Sequence, residues 1–162
     1  MSEPSIGRSK RVDGAAAIPD VPAEVSLRGG CWCGAVEYRV ADAFLYALNC
    51  HCSRCRAATG SAFKAFAGVE REKLEIAVGR GALLVVGDES LNDTRCGACG
   101  SLLFSVVRDG AFVHVALGSL VDPPTMRPAA HIFVGSKAPW FEITDELPQF
   151  EEHARPLSEE SD

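Results

Sequence analysis

The chain has 162 residues, 47% of them hydrophobic and 23% charged, which fits one domain with an ordinary core. The formal net charge of -6 provides no basic surface for a phosphate backbone, so we expect no nucleic-acid partner. No apolar run approaches the roughly 20 residues that cross a bilayer, and the N-terminus lacks the apolar stretch of a signal peptide, so we expect a cytoplasmic protein without membrane contact.

Both ends of the chain have the composition of tails. Residues 1–23 mix Ser, Pro, Ala and scattered charges without apolar periodicity, and residues 151–162 are short and acidic. Such segments cannot bury enough apolar surface to order themselves, so we expect disorder at both ends. Residues 24–150 are predicted to form a single domain.

Short apolar stretches separated by turn residues predict the strands of this domain. Only Ser53–Thr59 has the composition of a helix, with Ser53 as its N-cap and Gly60 at its end. Asp109 and Gly110 tolerate positive φ and predict a two-residue hairpin turn. The predicted class is mainly β, with antiparallel strands and one short helix. In chain order, the predicted strands cover residues 36–40, 44–48, 62–69, 74–78, 82–86, 102–108, 111–117 and 129–134.

Seven cysteines, all in C-x-C or C-x-x-C spacing, indicate metal ligands rather than a disulfide framework. Four of them form two short knuckles, each of which can aim two sulfurs at one point. A closed set of four thiolates is typical of a tetrahedral structural zinc. Because the knuckles are far apart in sequence, this metal would tie early and late parts of the chain together. The four predicted ligands are Cys31, Cys33, Cys96 and Cys99.

The remaining three cysteines, Cys50, Cys52 and Cys55, lie in the pattern C-H-C-x-x-C. Three ligands leave the fourth position of a zinc ion open, which distinguishes catalytic sites from structural ones. Three thiolates also give the centre a net charge of -1, which makes the metal a weak activator of water. We therefore assign the catalytic role to these three cysteines and favour thiol chemistry over hydrolysis.

Two alternatives remain for this second site. His51 could supply a fourth ligand and close it, although the middle side chain of a C-x-C knuckle generally points away from the two sulfurs. The three cysteines could instead form a disulfide with one spare thiol, a redox sensor in which Arg54 and Arg56 lower the thiol pKa values.

The other histidines and the aromatic residues near the C-terminus are not assigned to the site. His114 and His131 lie in predicted strands, where a structural histidine is more common than a ligand, and His153 belongs to a polar stretch. Trp140 and Phe141 are expected to cover the edge of the core.

Taken in order, five segments resemble the glutathione-dependent formaldehyde-activating enzyme family, which also includes centromere protein V. The segments are GGCWCGAVEY, CHCSRCRAATGSAF, CGACGSLLF, ALGSLVD and HIFVGSKAPW, and the resemblance runs from residue 27 to residue 141. It implies a β-tent fold stapled by zinc, with two zinc ions per chain. The structural zinc would lie on Cys31, Cys33, Cys96 and Cys99, and the second zinc on Cys50, Cys52 and Cys55.

The activity that this resemblance implies is the addition of glutathione to formaldehyde, which gives S-(hydroxymethyl)glutathione and belongs to the carbon-sulfur lyases. Our hypothesis is a zinc-dependent enzyme that adds or removes a small carbonyl group at a thiol. The incoming thiol would take the open zinc position, lose its proton and attack the carbonyl. Arg54, Arg56 and Lys64 could bind the carboxylates of a small thiol such as glutathione.

Two other functions are consistent with a zinc-stabilised β domain. One is a non-catalytic zinc module that binds a protein partner, which predicts a closed second site. The other is an enzyme like methionine sulfoxide reductase, which needs an isolated reactive cysteine near the end of the domain. None of the seven cysteines is placed in that way.

Overall fold

The computed structural model describes residues 25–154. The disorder expected for residues 1–23, and for residues 155–162 of the acidic C-terminal stretch, concerns positions outside this range. Residues 151–154 contact the domain: the carbonyl of Glu152 accepts a hydrogen bond from Phe133 N at 2.9 Å, and Ala154 packs against a buried cluster of Cys50, Phe66 and Ile132.

The described residues form ten strands and one α-helix. The helix, α1, covers Ser53–Thr59. The strands are β1 Ser26–Gly30, β2 Glu37–Ala41, β3 Tyr46–Cys50, β4 Lys64–Glu70, β5 Leu74–Val78, β6 Leu83–Gly87, β7 Asn92–Cys96, β8 Leu102–Val107, β9 Phe112–Ala116 and β10 His131–Ile132.

The strands form two sheets. A three-stranded antiparallel sheet has the order β1-β2-β5, and a seven-stranded sheet has the order β10-β3-β4-β9-β8-β7-β6. Every pair in the larger sheet is antiparallel except β10 and β3, which run parallel. The predicted class, mainly β with one short helix, is confirmed.

The main core lies between the two sheets. Alternate residues of each strand point into it, because successive side chains of a strand face opposite sides of the sheet. Tyr38 and Val40 come from the smaller sheet, and Ala67, Val69, Leu103, Phe104, Val106, Val113 and Val115 come from the larger one.

The opposite face of the larger sheet carries a second, smaller apolar cluster. Cys50, Phe66 and Ile132 form its buried part, and the C-terminal segment covers it with Phe133 and Phe150. Cys52 and Cys55 pack against the same cluster. The three-cysteine motif therefore lies on the outer face of the larger sheet, away from the main core.

The local predictions for the turn and the helix are largely confirmed. Asp109 and Gly110 have φ values of 53° and 84° at the centre of the predicted hairpin turn. A 3.1 Å hydrogen bond from Ala111 N to Arg108 O closes the turn. Gly60 ends the helix with φ 65°. The prediction of Ser53 as N-cap is wrong by one residue: the cap is Cys52, whose sulfur accepts a hydrogen bond from Cys55 N at 3.3 Å. Strands β1 and β7 were not predicted.

Candidate metal centres

Four cysteines meet where the β1–β2 connection approaches the β7–β8 connection. Their sulfurs all lie within 4.8 Å of one another. The Cys33 sulfur lies 3.6 Å from that of Cys31 and 3.7 Å from that of Cys96. A tetrahedral zinc with Zn–S bonds of about 2.3 Å separates its sulfurs by about 3.8 Å. This first cluster, Cys31, Cys33, Cys96 and Cys99, therefore has the dimensions of a four-thiolate site.

The backbone of each knuckle is shaped to present these sulfurs. Gly34 and Gly100 follow the two cysteine pairs with φ of 76° and 77°, values that favour glycine. The Val36 N–H donates to the Cys31 sulfur at 3.2 Å, and the Ser101 hydroxyl donates to the Cys99 sulfur at 3.1 Å. The Ser101 hydroxyl and main chain lower the pKa of Cys99 to about 5, so this thiol is a ready thiolate ligand.

The second cluster joins the end of β3 to the start of α1. Cys50 is the last residue of β3 and is buried, while Cys52 caps the helix and Cys55 lies in its first turn. Their sulfurs all lie within 4.8 Å of one another, and no fourth ligand joins the group among residues 25–154. These residues can therefore bind a metal ion and leave one coordination position to another molecule.

The thiols of this cluster interact strongly with one another. A hydrogen bond from Cys55 lowers the pKa of Cys50, and the same interaction raises the pKa of Cys55. Burial further raises the pKa of Cys55, whereas the Lys64 ammonium opposes this rise. In the absence of metal, Cys50 is thus the preferred site of negative charge.

His51 does not complete the second cluster. Its side chain is fully buried, and its Nε2 atom lies 2.7 Å from Nδ1 of His131. The Nε2 atom of His131 lies 3.0 Å from the Asp145 carboxylate. His51 therefore faces away from the sulfurs, as predicted for a C-x-C knuckle, and its hydrogen-bond partner is His131, which the sequence pattern does not assign to the site.

All seven cysteines are free and all belong to one of the two clusters. The disulfide of the redox-sensor alternative is therefore not present. No cysteine is isolated, as an enzyme like methionine sulfoxide reductase would require.

The three basic residues near the second cluster occupy different environments. Arg54 is exposed, and Arg56 donates to the carbonyl oxygen of His51 at 3.3 Å. Lys64 is buried and donates to the Ser105 hydroxyl at 2.7 Å, which in turn donates to Asp93 at 2.5 Å. Only Arg54 is thus left in open solvent.

The other residues left out of the site have different surroundings. His114 Nε2 forms a 2.8 Å hydrogen bond with the Tyr46 hydroxyl, and the His153 ring packs edge-on against Phe133. Phe141 contacts the His51 ring, at a centroid distance of 6.0 Å. Trp140 is 70% exposed, so the prediction that it covers the core edge is wrong.

A cavity of about 920 Å³ lies beside the first cluster rather than at the second. Trp32, Phe63 and Lys64 contribute to its wall, and Ala58 and Thr59 bring the C-terminal end of α1 to it. The two ends of this short helix therefore face different features, the three-cysteine cluster and the cavity. No helix among residues 25–154 is long and apolar enough to cross a membrane.

Comparison with known proteins agrees with this architecture. The sequence model of the family described as glutathione-dependent formaldehyde-activating enzyme matches residues 26–136. A crystal structure of a Rhodobacter sphaeroides protein is 27% identical, with a TM-score of 0.50, and the match covers 63% of this chain and 98% of that protein. No curated protein sequence matches the chain.

The fold and the two clusters define a small, mainly β protein with two cysteine groups that could hold metal ions. The family match covers more than half of the chain. This protein belongs to the glutathione-dependent formaldehyde-activating enzyme family. Membership implies an enzyme that acts with glutathione.

Proposed function

We propose that the protein is a zinc-dependent enzyme that adds or removes a small carbonyl group at a thiol, a carbon-sulfur lyase similar to S-(hydroxymethyl)glutathione synthase. One observation carries the proposal: the sulfurs of Cys50, Cys52 and Cys55 converge within 4.8 Å, without a fourth protein ligand among the described residues. We assign the catalytic metal to this cluster and a structural zinc to Cys31, Cys33, Cys96 and Cys99.

The donor set of both clusters suits zinc, which prefers thiolate sulfur in tetrahedral geometry. When bound at the three-cysteine cluster, zinc would lower the pKa of a substrate thiol at its open position and so supply a nucleophilic thiolate. Addition then forms the carbon-sulfur bond and breaks the carbonyl π bond, whose electron pair goes to oxygen. The oxygen takes up the proton that the thiol released, so the sum is a thiol plus an aldehyde giving a hydroxyalkyl thioether.

The chain holds the three sulfurs in place through its backbone. His51 N donates to the carbonyl of Ile132 at 2.9 Å, which fixes the loop between Cys50 and Cys52 against β10. The bond from Cys55 N to the Cys52 sulfur then sets the distance from the loop to the helix. Rigid placement of this kind lowers the entropic cost of bringing two reactants together.

We place the body of the thiol substrate in the cavity beside α1. Cys55 and Ala58 lie three residues apart on this helix, about 4.5 Å along its axis at 1.5 Å per residue. The wall of this cavity includes Lys64 and Arg95, whose positive charge suits the carboxylates of glutathione. A substrate that reaches from the cysteine cluster into this cavity would thus bind by its sulfur and its carboxylates.

The direct test is to mix zinc-loaded protein with glutathione and formaldehyde and to measure their exchange with S-(hydroxymethyl)glutathione by NMR. We expect exchange faster than the uncatalysed rate. An unchanged rate with zinc bound at both clusters would overturn the proposed reaction.

The variant Cys52→Ser distinguishes the two roles of Cys52, which is a candidate metal ligand and the N-cap of α1. Serine is a good N-cap, so this change keeps the start of α1 while it removes one sulfur ligand. We expect one zinc ion fewer per chain, loss of the acceleration and an unchanged fold by circular dichroism. The exposed neighbour Ser53 provides the control, because Ser53→Ala should retain both the zinc and the activity. Unfolding of Cys52→Ser would instead indicate a structural second site.

A further inference from the structure

Strand β6 ends the seven-stranded sheet with an apolar edge. Among residues 25–154, β7 is the only strand paired with it. Three consecutive side chains, Leu84, Val85 and Val86, are 48%, 51% and 53% exposed. Leu84 and Val86 lie on one face of the strand, and Val85 lies on the other. Both faces of this edge are therefore apolar and open to solvent.

The hydrogen bonds at the two ends of β6 show which of its backbone groups face away from β7. Gly97 N donates to Ala82 O at 2.7 Å, and Asp88 N donates to Leu91 O at 3.1 Å. Because bonding alternates along an antiparallel strand, the even-numbered residues of β6 bond to β7 and the odd-numbered ones face the free edge. Val85 thus presents both its N–H and its C=O there. Leu83 presents its C=O, since its N–H is bonded to Arg80 O.

This edge lacks the features that normally prevent strand pairing. Exposed edges are usually protected by a charged side chain, a proline or a bulge. The sequence LLVVG of β6 contains no charge and no proline, and its pairing with β7 is regular. One outer strand of the smaller sheet, β5, differs, because its sequence LEIAV carries the exposed Glu75.

The charges that flank β6 favour one particular partner, a second copy of the same strand. Arg80 precedes the strand, and Asp88 and Glu89 follow it, all three exposed. Two antiparallel copies would bring Arg80 of each copy beside Glu89 of the other. Two parallel copies would instead bring like charges together. The charge pattern is therefore complementary to itself under a two-fold axis, as a symmetric dimer requires.

We infer that the protein forms a two-fold dimer in which β6 pairs antiparallel with β6 of a second copy. In this arrangement Val85 lies on the axis and exchanges main-chain hydrogen bonds with Val85 of the second copy. Gly87 N–H of each copy donates to Leu83 C=O of the other. The larger sheets of the two copies become continuous, and the exposed apolar side chains pack across the junction. The three-cysteine cluster lies between β3 and α1, so the dimer leaves it open.

The test is the mass in solution, measured by sedimentation equilibrium over a wide concentration range. The full chain should approach twice its 17.2 kDa as the concentration rises. Val85→Lys places two ammonium groups beside the axis and should give a mass of 17.2 kDa throughout. The control is Val78→Lys on β5, where the replaced side chain is 49% exposed, and it should not change the dimer.

Charge reversal provides a second test that does not touch the apolar strand. Arg80→Glu should weaken the dimer at least tenfold at low salt, and adding Glu89→Arg in the same chain should restore it. A full chain that remains a monomer at every concentration overturns the inference. A dimer that survives Val85→Lys also overturns it, because the interface would then lie elsewhere.

Discussion

The Nε2 atom of His51 lies 2.7 Å from the Nδ1 atom of His131, so one ring must donate a proton to the other. The Asp145 carboxylate, 3.0 Å from His131 Nε2, can only accept, so His131 carries its proton on that nitrogen. His131 Nδ1 is then the acceptor, and His51 donates through Nε2. This leaves His51 Nδ1 as a buried acceptor without a hydrogen-bond partner among the described residues.

We predict that both histidines are Nε2–H tautomers in solution. Nitrogen NMR of the labelled protein distinguishes the two tautomers directly. Asp145→Ala removes the carboxylate that fixes the direction of the hydrogen bonds from His51 through His131, so mixed tautomers should appear at His131. Burial lowers the pKa of His51, so its ring should remain neutral at pH 6.5. Protonation of His51 at that pH, or an unchanged tautomer in the variant, would contradict this assignment.

The sequence indicated the orientation of His51 but not its partner. A C-x-C knuckle directs its middle side chain away from the sulfurs whatever the rest of the fold does. The contact with His131 joins residues 80 positions apart and depends on the parallel pairing of β10 with β3. Local residue spacing does not predict a pairing between such distant strands. From the sequence alone, His131 on its short strand is therefore interpreted as a structural histidine.

The two cysteine clusters should differ in their effect on stability when zinc is bound. The first cluster joins a connection of the smaller sheet to a connection of the larger one, whereas the second joins the adjacent elements β3 and α1. Cys33→Ser should therefore lose a large part of the roughly 10 kcal/mol that structural zinc contributes in small domains. Cys55→Ser should lose much less, because β3 and α1 are neighbours in the chain.

Urea unfolding, with the zinc content measured for each variant, tests this difference. Both cysteines are replaced by the same residue, so each variant serves as the control for the other. Equal losses of unfolding free energy would mean that the second cluster also holds the fold together.

Trp32 offers a reporter for the cavity. Its side chain is 92% exposed and lies on the wall of the cavity of about 920 Å³. Glutathione bound there should bury the indole and shift its fluorescence to shorter wavelength. Trp32→Phe should abolish the shift, and Trp140→Phe should preserve it, because Trp140 lines a different cavity. A shift that persists without Trp32 would place the thiol elsewhere.

Strands β1 and β7 show what sequence patterns could not predict about the fold. Strand β1 reads SLRGG and buries Leu27, while β7 reads NDTRC and buries the polar residues Asn92 and Thr94. Neither has the alternation of apolar residues from which strands are recognised. Both become strands because a neighbouring strand satisfies their backbone, and the first cysteine cluster lies at their ends. The cysteine spacing was more informative, because ligand geometry constrains the local chain directly.

The last prediction concerns His114, whose ring stacks on Phe66 at a centroid distance of 4.1 Å. Burial, and then the nearby charges of Lys64 and Arg108, lower its pKa to about 3. Between pH 6.5 and pH 3 the unfolded chain therefore binds a proton that the native protein does not. Acidification through this range should destabilise the fold by up to about 1.4 kcal/mol per pH unit for this one group.

The variant His114→Gln isolates this contribution from that of the carboxylates, which titrate in both proteins. Between pH 7 and pH 5, with zinc present, the free energy of unfolding of the wild type should fall more steeply than that of the variant. The glutamine amide can donate to or accept from the Tyr46 hydroxyl, so the comparison changes the titrating group without leaving this hydroxyl unpaired. Parallel slopes would mean that His114 binds its proton equally well in the folded and the unfolded state, which its burial and the two neighbouring cations oppose.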